Sequence, residues 1–363
     1  MKKFTLVLFA VLCGASVSRA QTFVVDTILN NGDRANRINL VFLGDGYTAG
    51  EQTQFISDVN GILDKFFLCS PLTEYKPFFN VYAVRVVSSQ SGAKHPNSAS
   101  DCSTASPAVP SMSPNTYFGA TFDYGGTHRL LYCPGTAAIN TVLQTNTPWY
   151  DKALIVVNTP YYGGSGGNYS IGSVHPSSAE IMIHEFGHSF AGLADEYGGS
   201  YCNGLEKPNV TQETNPNLIK WKNWINPGTP IPTPAFTNCG NEGLYNGGNY
   251  CTNGWYRPRC DCKMRTLNQP LCAVCKQEFI LKIHQSVNLI DAHLPSSASP
   301  VNMASNGTQV FSAQVLNNVP NTIKTQWKLN GALVATNVSN YTVNAAALAV
   351  GTHTLSITAS DTT

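Results

Sequence analysis

Charge is scarce in this chain. Only 12% of its 363 residues are Asp, Glu, Lys or Arg, and the formal net charge is +1. Globular proteins usually carry about twice that share. Without a basic stripe there is nothing to neutralise a phosphate backbone, which argues against a nucleic-acid partner. Long apolar runs are also missing: past the first 20 residues, none reaches the roughly 20 that a membrane-spanning helix needs. No transmembrane segment is expected, and the composition leaves the oligomeric state open.

What is present begins with an export signal. Lys2 and Lys3, an apolar run from Phe4 to Leu12, and Ser18-Arg19-Ala20 ahead of Gln21 predict a secretory signal peptide over residues 1–20. The mature protein is therefore expected in the medium, on the cell surface or in the periplasm. Of the 11 cysteines, Cys13 leaves with the signal. The even remainder is expected to form disulfides.

The pattern along the chain is α/β. Ile38 to Leu43 reads as a buried strand, Thr48 and Glu51 as a capping box, and Phe55, Val59, Ile62, Leu63 and Phe66 as one face of a helix. "FNVYAVRVV" from Phe79 is a second strand, and the helix between the two suits a parallel crossover. Ser88 to about Pro114 predicts an exposed loop held by a disulfide through Cys102. A helix in "GTAAINTVLQ" and a central strand from Lys152 follow. Gly163 to Gly167 reads either as a flexible connector or as a low rim that lets a substrate backbone approach. Ser177 and Glu180 predict a second capping box, opening a helix whose apolar face is Ile181, Ile183, Phe186 and Phe190. A last helix is expected at about 274–287, and "LPSSASP" at 294–300 as a linker. Residues 301–363 alternate apolar and polar around Trp327, which predicts an immunoglobulin-like β-sandwich short by about a strand, and so expected to be truncated.

The chemistry lies in "MIHEFGHSFAGLADEYGG", residues 182–199. On a helix His184 and His188 stand one turn apart on the same face, where one zinc ion can bridge them. Glu185 beside them is the expected general base. A catalytic zinc needs a third protein ligand. On a straight helix Asp195 would be about 10 Å beyond His188 along the axis, so the helix must stop. Gly192 supplies a left-handed residue to end it, and Asp195 is the expected third ligand. The other readings leave Asp195 and Glu196 in solvent or on a structural cation such as calcium, or take the ligand from Glu206 or Glu242 after a longer helix. His175 precedes the helix, as a supporting group or nothing. His95, His128, His284, His293 and His353 have no partner spacing and read as structural or solvated. Cys260, Cys262, Cys272 and Cys275 could hold a structural zinc, but export favours disulfides.

"HEFGHSFAGLADEY", taken with "NLVFLGDGYT", "NEGLY" and "CDCKMRT…LCAVC", resembles the IgA-peptidase family of secreted bacterial zinc metallopeptidases, itself similar to the metzincins. The likeness spans about residues 26–293. It implies a metzincin-like catalytic domain with a mixed sheet over residues 21–293, zinc on His184, His188 and Asp195, Glu185 as base, and Met264 as the methionine of a turn beneath the metal. The glycine and the third ligand come one residue later than in metzincins, and that ligand is Asp rather than His. Tyr245 and Arg265 are candidate oxyanion donors. The expected activity is hydrolysis of peptide bonds in proteins. The alternatives are a surface binding protein with an inert metal site and a zinc hydrolase acting on cell-wall peptides.

Overall fold

The computed structural model describes residues 21–104, 108–202, 204–235 and 239–363. The expected signal peptide lies outside them.

The central sheet begins with an antiparallel edge, β1 (Val25–Leu29), and continues with β2 (Ile38–Asp45). Next come helix α1 (Gln52–Phe66) and β3 (Phe79–Val84). After a long irregular connection, α2 (Thr136–Asn146) leads into β4 (Lys152–Val157). A short pair, β5 (Gly164–Ser165) and β6 (Ser170–Gly172), precedes α3 (Ser178–Ser189). The strand order is β1-β3-β2-β4-β6-β5, with parallel pairing from β3 through β6 and antiparallel strands at both edges. The sheet is therefore mixed, as the sequence predicts. The Thr48–Glu51 capping box forms at the entry to α1.

Helices cover both faces, which explains why β2, β3 and β4 are buried almost throughout and mostly apolar rather than alternating. Leu40, Phe42 and Leu154 face α1, α3 and another helix, α4 (Ala273–Ser286), while Val41, Leu43 and Ile155 face α2. Phe186 of α3 packs at 5.3 Å from Phe66 and 5.9 Å from Phe279. Truncating so buried a ring costs about 3–5 kcal/mol, so α3 is held rigidly against the sheet. Between α3 and α4, only the hairpin β7 (Tyr245–Gly248) and β8 (Cys251–Arg257) is regular strand among the described residues.

The C-terminal part is two three-stranded antiparallel sheets. Strand β9 (Ile290–Leu294) pairs with β10 (Thr308–Val315). Next come β11 (Ile323–Leu329), β12 (Ala332–Thr336), β13 (Asn340–Asn344) and β14 (Leu355–Asp361), in sheets ordered β13-β10-β9 and β12-β11-β14. Trp327 is buried, and its Nε1 donates to Val338 O at 3.0 Å. The boundary expected after residue 293 falls inside β9, which joins the C-terminal sheet. Among the described residues no helix is long and apolar enough to cross a membrane.

Candidate metal centre

His184 and His188 stand one turn apart on α3, with Nε2 atoms 3.1 Å apart. The helix ends where the sequence requires. Gly192 adopts φ +67°, its N–H donates to His188 O at 3.2 Å, and Leu193 N reaches back to Gly187 O at 3.1 Å. This reversal returns Asp195 to the histidines, with Oδ1 3.0 Å from His184 Nε2 and 3.3 Å from His188 Nε2. A tetrahedral zinc with bonds of about 2.0–2.1 Å separates its ligand atoms by about 3.3 Å. The donor set fits such an ion.

The outer contacts aim these donors. His184 Nδ1 faces Lys263 O at 2.9 Å and His188 Nδ1 faces Leu193 O at 2.8 Å, so each Nε2 is left available to a metal ion. Tyr250 donates its hydroxyl to Asp195 Oδ2. Beneath the helix, the N–H groups of Arg265 and Thr266 both donate to Cys262 O, closing a tight turn around Met264. Its two successive carbonyls are both used: Lys263 O by His184, Met264 O by Glu196 N at 2.8 Å. Met264 lies so close to α3 that a Cβ on Gly187 would come 2.7 Å from its sulfur.

Glu185 is half-buried and faces the end of β5, where a Cβ on Gly166 would stand 2.0 Å from its Oε2. Burial pushes its pKa up, against the pull of His184 and His188. Burial also opposes ionisation of Asp195, but hydrogen bonds from both imidazoles hold it well below the usual carboxylate range. Despite its own burial, His188 is pushed up to about 9, chiefly by Asp195 and then Glu185. Two carboxylates thus bias the pocket toward positive charge.

Other candidates are placed elsewhere. Glu206 pairs with Lys220 at 2.5 Å, and Glu242 accepts from Ala273 N at 3.0 Å at the start of α4. Glu196 is fully buried and its carboxylate accepts from Asn209 and Cys275. Tyr245 donates to Asn241 O at 3.0 Å and Arg265 pairs with Asp261 at 3.5 Å. His175 Nδ1 accepts from Ser177 N at 3.2 Å, just before α3. The capping box expected there does not form: Ser177 makes no side-chain cap, because Glu180 accepts instead from Lys263 Nζ and Asn268 N.

The cysteines depart from expectation. Among the described residues two disulfides form, Cys202–Cys251 and Cys239–Cys260, while Cys69, Cys102, Cys133, Cys262, Cys272 and Cys275 are free. Cys262, Cys272 and Cys275 converge with Glu196 in a buried group whose ligand atoms lie within 4.8 Å of one another. Cys260, bonded to Cys239, is not part of it. Cys102, expected to tie its loop by a disulfide, points instead at Asp123. Tyr250, the partner of Asp195, escapes sequence reasoning, since no local pattern marks a hairpin tyrosine as facing a residue 55 positions earlier.

A His-Glu-x-x-His helix that ends in a returning carboxylate is an arrangement that could hold the metal ion of a metallopeptidase. The chain belongs to the IgA peptidase M64 family, whose model matches residues 27–242. No curated protein matches it.

Proposed function

We propose that the protein is an exported zinc endopeptidase that hydrolyses peptide bonds in proteins, with His184, His188 and Asp195 as zinc ligands and Glu185 as general base. One observation carries this reading: three donor atoms from α3 and the segment after Gly192 lie 3.0–3.3 Å apart, with Glu185 on the same helix. The chemistry a zinc ion supplies there is Lewis acidity, polarising a peptide carbonyl and lowering the pKa of water toward neutrality. Glu185 takes the proton of the attacking water and hands it to the leaving amine. Its burial favours proton acceptance, and its carboxylate occupies the space that a Cβ at residue 166 would fill, so the glycine there admits it.

Export is supported by the two disulfides. The Met264 turn under α3 supports a metzincin-like catalytic domain. The paired C-terminal sheets, with β9 as an additional strand, support an immunoglobulin-like module that positions the enzyme.

The test is to incubate the chain and its Glu185→Ala variant with a mixture of unfolded proteins, reading new termini by mass spectrometry and zinc by elemental analysis. The variant is expected to keep its zinc and lose about 10²–10⁴-fold in cleavage rate. Equal cleavage by both proteins, or zinc absent from the folded wild type, would overturn the assignment.

A further inference from the structure

The connection from β3 to α2, residues 85–135, has no strand of its own among the described residues, yet it folds over one face of the sheet. Irregular segments this long are uncommon in compact domains, and those that stay ordered usually serve a function. We propose that His95, Cys102, Asp123 and His128 form a structural zinc site that fastens this one, separate from the centre at His184.

The four ligand atoms converge on one point. His95 Nε2 is 3.2 Å from His128 Nδ1 and 3.5 Å from Asp123 Oδ1, and His128 Nδ1 is 3.1 Å from the same oxygen. Cys102 Sγ is 3.4 Å from Asp123 Oδ1 and 3.9 Å from His95 Nε2. Tetrahedral zinc, with Zn–N and Zn–O bonds of about 2.0–2.2 Å and Zn–S of about 2.3 Å, sets N and O ligands about 3.3 Å apart and places sulfur about 3.6 Å from them. His95, Asp123 and His128 are all buried.

The surroundings aim the donors inward. His95 Nδ1 faces Pro110 O at 3.1 Å, which leaves Nε2 for the site. Ser98 N donates to Asp123 Oδ2 at 2.7 Å, which leaves Oδ1. Both imidazoles face the same carboxylate oxygen and each other, and with Nδ1 of His95 directed at a carbonyl its Nε2 faces that oxygen as a second acceptor, a crowding that a cation relieves. Nitrogen and sulfur donors select zinc over calcium or magnesium. Four protein ligands leave no open position, so the role is structural. A cysteine nucleophile is disfavoured, because the Cys102 thiol donates to the Asp123 carboxylate at 3.4 Å, nearer than His95 Nε2 at 3.9 Å, and a carboxylate does not favour the thiolate. On binding, that thiol releases its proton to solvent and four ligand bonds form.

The site also bears on the first centre. Just past His128, Arg129 O accepts from Gly164 N at 3.2 Å and Leu131 O accepts from Ser165 Oγ at 2.5 Å. These two bonds hold β5, which leads to Gly166 beside Glu185.

The test compares zinc per chain in the full chain and in Cys102→Ser and His128→Ala, each also made in a His188→Ala background. Each loop variant is expected to hold one zinc fewer than its parent in both backgrounds, so the outcome does not depend on whether His184 and His188 bind metal. Equal zinc in a folded variant and its parent overturns the proposal. If the variants do not fold, the wild type decides. Peptide-mapped alkylation of Cys102 should speed up by about tenfold or more once a chelator has removed the metal, because zinc-bound thiolate is masked. An unchanged rate, or Cys102 recovered in a disulfide, overturns the proposal.

Discussion

The hydroxyl of Tyr250 donates to the one oxygen of Asp195 that His184 and His188 do not share. Its position is imposed by the backbone: Tyr250 adopts φ +62°, its neighbour Cys251 is bonded to Cys202, and Asn249 N donates to Asp195 O at 2.8 Å. Removing the hydroxyl should leave the fold intact and weaken metal binding about 10–100-fold, the usual cost of losing an outer partner of a ligand. Competition with a chelator measures this for Tyr250→Phe, and unchanged affinity would rule the contact out as a support.

Gly166 tests the same centre from the other side. A methyl there would meet Glu185 Oε2 at 2.0 Å, and the far end of a side chain can move aside at little cost in stability. Gly166→Ala should therefore retain zinc and melt near the wild type, yet lose about 10²-fold or more in kcat as the base is displaced. A variant with wild-type kcat would show that Glu185 need not hold this position.

At Gly187 the neighbour cannot move so freely, because Met264 is fully buried in the turn under α3. Gly187→Ala places a Cβ 2.7 Å from its sulfur and is expected to destabilise the protein by about 1–3 kcal/mol. Urea unfolding reads this directly, and a midpoint equal to wild type would mean the turn yields without cost.

Asp361 on β14 accepts from Thr322 Oγ1 at 2.6 Å, from Tyr75, from Thr363 and, at 2.8 Å, from His284 of α4. Burial works against its charge, but these hydrogen bonds outweigh that and hold its pKa well below the usual carboxylate range. A carboxylate depressed on folding adds stability above its unfolded pKa, about 3.9, and loses it as pH falls toward the folded value. Asp361→Asn should thus be less stable than wild type at pH 7, and the gap should narrow below about pH 4. Denaturation midpoints at the two pH values decide it: a gap independent of pH would mean the charge contributes nothing.

Much of the scaffold is legible in the sequence because its elements carry strong periodic signals. Short apolar runs mark β2, β3 and β4, the spacing from Phe55 to Phe66 marks α1, and Gly192 marks the point where α3 must stop. The grouping of His184, His188 and Asp195 follows from helical spacing plus that single glycine. Other features depend on tertiary neighbours. Glu180 looks like a capping residue until Lys263 and Asn268 claim it. The histidines at 95 and 128 look unpartnered because the loop that joins them to Cys102 and Asp123 has no repeat to read. Likewise β9 hides behind a Pro/Ser-rich stretch, its strand character evident only once β10 pairs with it.

The turn at Met264 offers one carbonyl to His184 and the next to the amide beside Asp195. Ligands from the helix and from the returning chain are thereby hung on one short piece of backbone. Backbone hydrogen bonds thus tie the two donor-bearing segments to each other through the turn. Because protein hydrogen bonds and not ligand bonds alone join these segments, chelation at the proposed centre is expected to be reversible, with zinc added back restoring cleavage without a refolding step.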